Sequence, residues 1–210
     1  MNALQLLDYA GVAVFAATGA LAASRKELDI IGFVFFAAIT GMGGGTVRDV
    51  VLNTPVFWTL NPAYVLVCVV VAIVVFFTAP MLESRYRLLL WLDAVGLAAY
   101  SVLGAALGLS VTGSPVVALV TGMMTATVGG IIRDVLAGEP SVLLRPEVYV
   151  TAALTGAAVY TALSYFGVDR AIAAGVGVLA AFLVRGGALR FGWSFPRYKS
   201  RPGRPPEEQE

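Results

Sequence analysis

The sequence predicts an all-α membrane protein. Seven transmembrane helices form two inverted three-helix repeats plus a seventh helix, with the second and fifth helices broken at glycine clusters. Three observations predict it. The 210 residues are 59% hydrophobic and only 13% charged, with a mean hydropathy of +0.84, whereas a soluble domain is about a quarter charged. Residues 9–24, 30–47, 50–82, 94–132 and 148–168 contain no Asp, Glu, Lys or Arg, and a helix needs roughly 20 mostly apolar residues to cross a bilayer. Finally, GMGGGTVRDV at 41–50 returns as ATVGGIIRDV at 126–135, after an interval of 85 residues.

Each helix is bounded by a local break. The first, 4–23, holds Asp8 with no basic residue ahead of it, so it reads as a true span and not a cleaved signal. It stops at the polar turn from Ser24 to Asp29. The second, 30–52, ends before the two-proline segment from Asn53 to Pro62, and the third covers the uncharged run 62–81. The fourth, 87–109, closes at the turn from Thr112 to Pro115. The fifth, 115–137, ends at the loop from Gly138 to Pro146, and 147–167 and 169–189 complete the set. These give a first repeat over 1–82, a second, inverted repeat over 83–167 and a seventh helix within 168–192. Residues 193–210 form a Pro-, Arg- and Glu-rich cytoplasmic tail expected to be disordered.

The repeat keeps one register over many positions. At an offset of 85, Asp8 matches Asp93, Gly11 matches Gly96, Phe15 matches Tyr100, Gly19 matches Gly104, Thr40 matches Thr125, Arg48 and Asp49 match Arg133 and Asp134, and Tyr64 matches Tyr149. Three helices per unit return the chain on the opposite face, which inverts the second copy. Arg25, Lys26, Arg85, Arg87, Arg145, Arg185, Arg190, Arg197, Lys199, Arg201 and Arg204 then share one side, and only Arg170 clearly falls on the other. Short cytoplasmic loops are enriched in Lys and Arg, so the expected site is the cell (inner) membrane, with the N-terminus outside and the C-terminus cytoplasmic.

Composition narrows the chemistry. With no His and one cysteine, Cys68, the chain supplies neither a metal cluster nor a disulfide framework, and no cofactor is expected. The net charge of +1 gives no sign of nucleic acid, and no soluble partner is evident. The intramembrane acids have no nucleophile, histidine or metal cluster beside them, which leaves little basis for an enzyme. The evident partner is the lipid bilayer.

Gly43, Gly44 and Gly45, and Gly129 and Gly130, fall near mid-helix, where each glycine costs about 1 kcal/mol relative to Ala. Two readings stand. A bend or unwound stretch at both places frees backbone groups, which must then face protein or water and not lipid. Alternatively, the small residues only let helices pack closely. One turn on, Arg48, Asp49, Arg133 and Asp134 are intramembrane charges and so candidate functional groups. Arg48 is expected to pair with Asp8 and Arg133 with Asp93; these groups either line a pathway or clamp the helices. Phe15 and Tyr100, flanked by glycines at spacing four, can form a constriction lined by Thr18 and Ser101, or can simply pack into glycine grooves. Thr40 and Thr125 can line a pore or bond back to their own helices.

GGGTVRD at 43–49 and GGIIRD at 129–134, in inverted three-helix repeats followed by a seventh helix, resemble the prokaryotic trimeric intracellular cation channels. The resemblance covers roughly residues 5–190. It implies a homotrimer with one pore inside each protomer, conducting monovalent cations, mainly potassium and also sodium. It also implies a pore formed by the first, second, fourth and fifth helices, with kinks at Gly43, Gly44, Gly45, Gly129 and Gly130. Animal members carry a basic residue in the fourth helix tied to voltage response; here Ala94 to Leu109 has none. The three-helix unit has also carried a glycine-transporter label, so a secondary transporter of a small solute such as an amino acid is the alternative.

Overall fold

The computed structural model describes residues 3–82, 84–142 and 148–196. The expectations for Arg145, the start of the sixth helix and the tail beyond residue 196 lie outside the described residues. The elements are α1 (Ala3–Arg25), α2 (Ile30–Val51), the short α3 (Phe57–Leu60), α4 (Ala63–Thr78) extended by a 3-10 turn (Ala79–Met81), α5 (Arg85–Thr112), α6 (Pro115–Leu136), α7 (Val150–Tyr165) and α8 (Arg170–Phe191). All are helical among the described residues.

Local chemistry explains the starts and stops. Asp29 accepts from the Gly32 amide at 2.8 Å and caps α2, satisfying a donor that has no partner inside the helix. Ser84 and Ser114 do the same for α5 and α6, the latter with Pro115 at its first position. Asp169 accepts from the Ala171 and Ile172 amides to start α8. At the far end of α5, Gly113 takes a left-handed φ of 66°, a conformation that glycine adopts without steric cost.

Among the described residues, six helices are long and apolar enough to cross a membrane. The sixth expected span is the exception: α7 has 16 residues, about 24 Å at 1.5 Å per residue against a core of about 30 Å. Apolar stripes are exposed on two of these helices. Leu66, Val70, Val74 and Phe77 are exposed along α4, and Ile172, Val176, Leu179 and Leu183 along α8.

α1 packs on α2, α4 and α5, and α5 in turn packs on α6, α7 and α8, while α2 crosses α6. The matched helices α1 and α5 run antiparallel: the Arg85 guanidinium at the start of α5 donates to the Ser24 carbonyl near the end of α1 at 3.2 Å. Small residues make the core dense. Ala16, Ala20, Ala37, Ala98, Ala126 and Ala152 are fully buried.

One expectation is corrected here. Helical hydrogen bonding runs through Gly43, Gly44, Gly45, Gly129 and Gly130, so α2 and α6 are not broken. The glycines instead permit contact between backbones. A Cβ on Gly44 would collide with the Thr125 carbonyl oxygen, and one on Gly129 would lie 2.6 Å from the Thr40 carbonyl oxygen. The two collisions are reciprocal, so the helices cross at Gly44 and Gly129 with no side chain between them.

Candidate functional site

The repeated Arg-Asp motif builds a similar bracket at each end of the molecule. Arg48 donates through Nε to Asp49 Oδ1 at 2.8 Å, with Nη2 at 2.7 Å from the same oxygen. Arg133 donates through Nε to Asp134 Oδ1 at 2.9 Å, with Nη2 at 2.8 Å. The second carboxylate oxygen ties down the following loop in both: Asp49 Oδ2 accepts from the Phe57 amide at 2.9 Å, and Asp134 Oδ2 from the Val142 amide at 3.0 Å. The Asp49 and Asp134 carbonyls accept from the Thr54 and Glu139 amides, each at 2.9 Å. Adjacent residues can pair in this way because the arginine is one turn from its helix end, where the chain folds back over it.

The helix-start aspartates behave differently. Arg133 Nη1 donates to Asp93 Oδ1 at 2.8 Å and to Thr18 Oγ1 at 3.0 Å, forming the expected pair. The expected Arg48–Asp8 pair is not formed. Asp8 Oδ2 accepts instead from the Tyr64 hydroxyl at 2.7 Å, and Arg48 is held by Asp49 with the Phe57 ring 5.8 Å from its guanidinium. Space explains the difference. Asp8 and Arg48 both line a cavity of about 720 Å³, with Asp49, Leu103, Tyr160 and Arg170 also in its wall, whereas Asp93 and Arg133 are 0% and 1% exposed.

Between the two brackets lie the aromatic and hydroxyl groups. Phe15 and Tyr100 face each other with ring centroids 5.3 Å apart. Each ring sits on the other helix's glycine: Phe15 carbons would lie 3.1 Å from a Cβ on Gly96, and a Tyr100 carbon 2.9 Å from one on Gly11. The Tyr100 hydroxyl donates to the Gly41 carbonyl at 3.4 Å. Thr18, Ser101 and Thr125 donate back to the carbonyls of Phe15, Ala98 and Thr121 at 2.8, 2.9 and 2.6 Å. Thr40 is buried with no hydrogen-bond partner for its hydroxyl.

Four participants escaped sequence reasoning. Tyr64 and Tyr149 are visible as a repeat match, but their closeness to the aspartates is tertiary. Arg185 is wholly buried, with its guanidinium 5.0 Å from the Tyr149 ring centre and Nη1 donating to the Val148 carbonyl at 3.3 Å. A sequence places such an arginine at a helix end and cannot see the fold close over it. Glu139 collects Arg25 at 2.9 Å and Lys26 at 3.6 Å, at the end that carries Arg85.

Comparison with known proteins agrees with this geometry. A family profile described as glycine transporter matches twice, over residues 5–80 and 90–165, the interval of the repeat. A Vibrio cholerae membrane protein is 38% identical over 200 residues, covering 93% of this chain and 82% of the relative. The Escherichia coli K12 inner membrane protein YadS is 36% identical over 198 residues, covering 91% and 94%. Among solved structures, a trimeric intracellular cation (TRIC) channel orthologue from Rhodobacter sphaeroides matches with a TM-score of 0.89 and 54% identity, over 92% of this chain and 100% of that one. A second TRIC cation channel structure matches at 0.85 with 30% identity, over 96% and 100%. With the double profile match, the shared helical architecture and this identity along nearly its whole length, the chain belongs to the prokaryotic trimeric intracellular cation channel family.

Proposed function

We propose that the protein is a monovalent cation channel, passing potassium and also sodium, with a pore inside each protomer of a homotrimer in the inner membrane. The observation that carries this reading is the cavity that reaches Asp8, Arg48 and Asp49. Arg48 would repel a cation were it free, but Asp49 holds it at 2.7 Å. Asp8 then faces the cavity as a carboxylate with a tyrosine and not a cation on it. Carboxylates lining a water-filled path favour cations. In this reading the ion path runs from the cavity past Phe15 and Tyr100, whose ring centroids are 5.3 Å apart, to Thr18, Arg133 and Asp93. The Arg-Asp brackets shape the mouths, and the permeant ions need no cofactor.

Planar-bilayer recording of the purified protein in a potassium chloride gradient tests this. The expected result is unitary currents reversing near the potassium potential. Asp8→Asn should move the reversal potential toward zero while leaving the channels present. Currents that reverse near the chloride potential would overturn the reading.

The family profile's description favours one other reading, a carrier for a small amino acid. A carrier would show slow, saturable uptake of radiolabelled glycine into proteoliposomes and no unitary currents.

A further inference from the structure

The two halves of the chain hold the same four groups in two different arrangements. In the first half the aspartate is bonded to the tyrosine, Asp8 to Tyr64 at 2.7 Å, and the arginine leaves it alone. In the second half the aspartate is bonded to the arginine, Asp93 to Arg133 at 2.8 Å. The matching tyrosine, Tyr149, is fully buried with no partner for its hydroxyl, and Asp93 Oδ2 is likewise unpartnered. Two such groups left unsatisfied in a protein interior are expensive, each by about 1–3 kcal/mol.

Tyr149 and Asp93 are also near one another. A Cβ on Gly130 would lie 2.7 Å from the Tyr149 hydroxyl and 3.2 Å from Asp93 Oδ1, the oxygen that Arg133 holds, so the hydroxyl and the carboxylate edge occupied by Arg133 both look onto the bare face of that glycine. Arg185, with its guanidinium 5.0 Å from the Tyr149 ring centre, packs over the ring from α8. Thr18, which holds Arg133 in place, matches Leu103, and Leu103 lines the open cavity at the other end. Where the polar residue stands, the arginine is pinned to the aspartate; where leucine stands, the mouth is open.

We infer that Tyr149 is a gating residue: the mouth beside Arg133 opens when Asp93 exchanges Arg133 for Tyr149, reproducing the arrangement that Asp8 and Tyr64 already hold at the other mouth. The exchange trades the bond from Arg133 for one from the Tyr149 hydroxyl and gives that buried hydroxyl a partner. It leaves Arg133 on Asp134, as Arg48 is left on Asp49. This inference rests on the channel reading for its meaning, but its geometry can be tested without a current.

In a Cys68→Ala background, Thr18→Cys places a thiol beside Arg133 that a charged, water-soluble methanethiosulfonate reaches only when the mouth opens. Adding Tyr149→Phe should slow labelling about tenfold, the value of one hydrogen bond to a charged group, and adding Gly130→Ala, which fills the space between the partners, should slow it as well. The phenylalanine variant folds as the parent does, because the hydroxyl it loses bonds nothing in the closed arrangement. In bilayers, Tyr149→Phe alone should lower open probability about tenfold with unitary conductance unchanged. Equal labelling rates with and without the Tyr149 hydroxyl would overturn the inference. Absence of unitary current from the unmodified protein would overturn the channel reading while the labelling comparison still decides the role of Tyr149.

Discussion

Asp8 and Asp93 share one place in the repeat and meet different neighbours, and the difference sets what each contributes. Asp93 is buried against a buried guanidinium, so replacing it leaves Arg133 short of a counter-charge in a dry site. Removing one member of such a pair costs about 3–5 kcal/mol. Asp8 borders a cavity and loses only its bond from Tyr64, about 1 kcal/mol. Thermal unfolding in detergent should therefore show Asp93→Asn lowering the midpoint well below that of Asp8→Asn; equal losses would mean that the two sites are equivalent in solution. The residues of the site were legible in sequence because charges inside apolar helices stand out. Their pairing was half legible. Arg133 with Asp93 followed from the topology, but Arg48 with Asp8 did not, because the tyrosine that takes Asp8 reaches it from another helix.

The long helices and most of their boundaries could be read from apolar runs and from breaks such as those at 24–29 and 112–115. The glycine clusters could not. Propensity alone argues for a break, and tertiary contact overrides it, since the cost of glycine is offset where two backbones meet. Sequence gives no means of separating these outcomes, because both ask for residues without a Cβ. The structure does separate neighbouring glycines. Gly44→Ala and Gly129→Ala push a methyl into a carbonyl of the facing helix and should cost about 1–3 kcal/mol each, the range of overpacking. At Gly43 the nearest atom is Ile132 Cδ1 at 3.4 Å, an ordinary contact, so Gly43→Ala should raise the unfolding midpoint by up to about 1 kcal/mol of helix propensity. Were all of them kinks, the three substitutions would act alike.

Across the whole molecule, Glu139 draws Arg25 and Lys26 together at the end that holds Arg85, while Arg170 lines the cavity at the opposite end. The positive-inside rule predicts that the Arg25 end is cytoplasmic. With Cys68 replaced, a thiol at exposed Glu27 should react with a membrane-impermeant maleimide only after cells are opened, and one at exposed Ser110 should react on intact cells; the reverse pattern would invert the topology. The crossing at Gly44 and Gly129 has a mechanical consequence for this architecture. Helices packed by ridges in grooves must lift their teeth clear before they can turn. Here the two copies of the repeat meet at a toothless point, close enough to bar separation yet smooth enough to pivot. Such a contact suits an axle better than a weld: a small tilt about it would move the two mouths in opposite directions while the centre stays still.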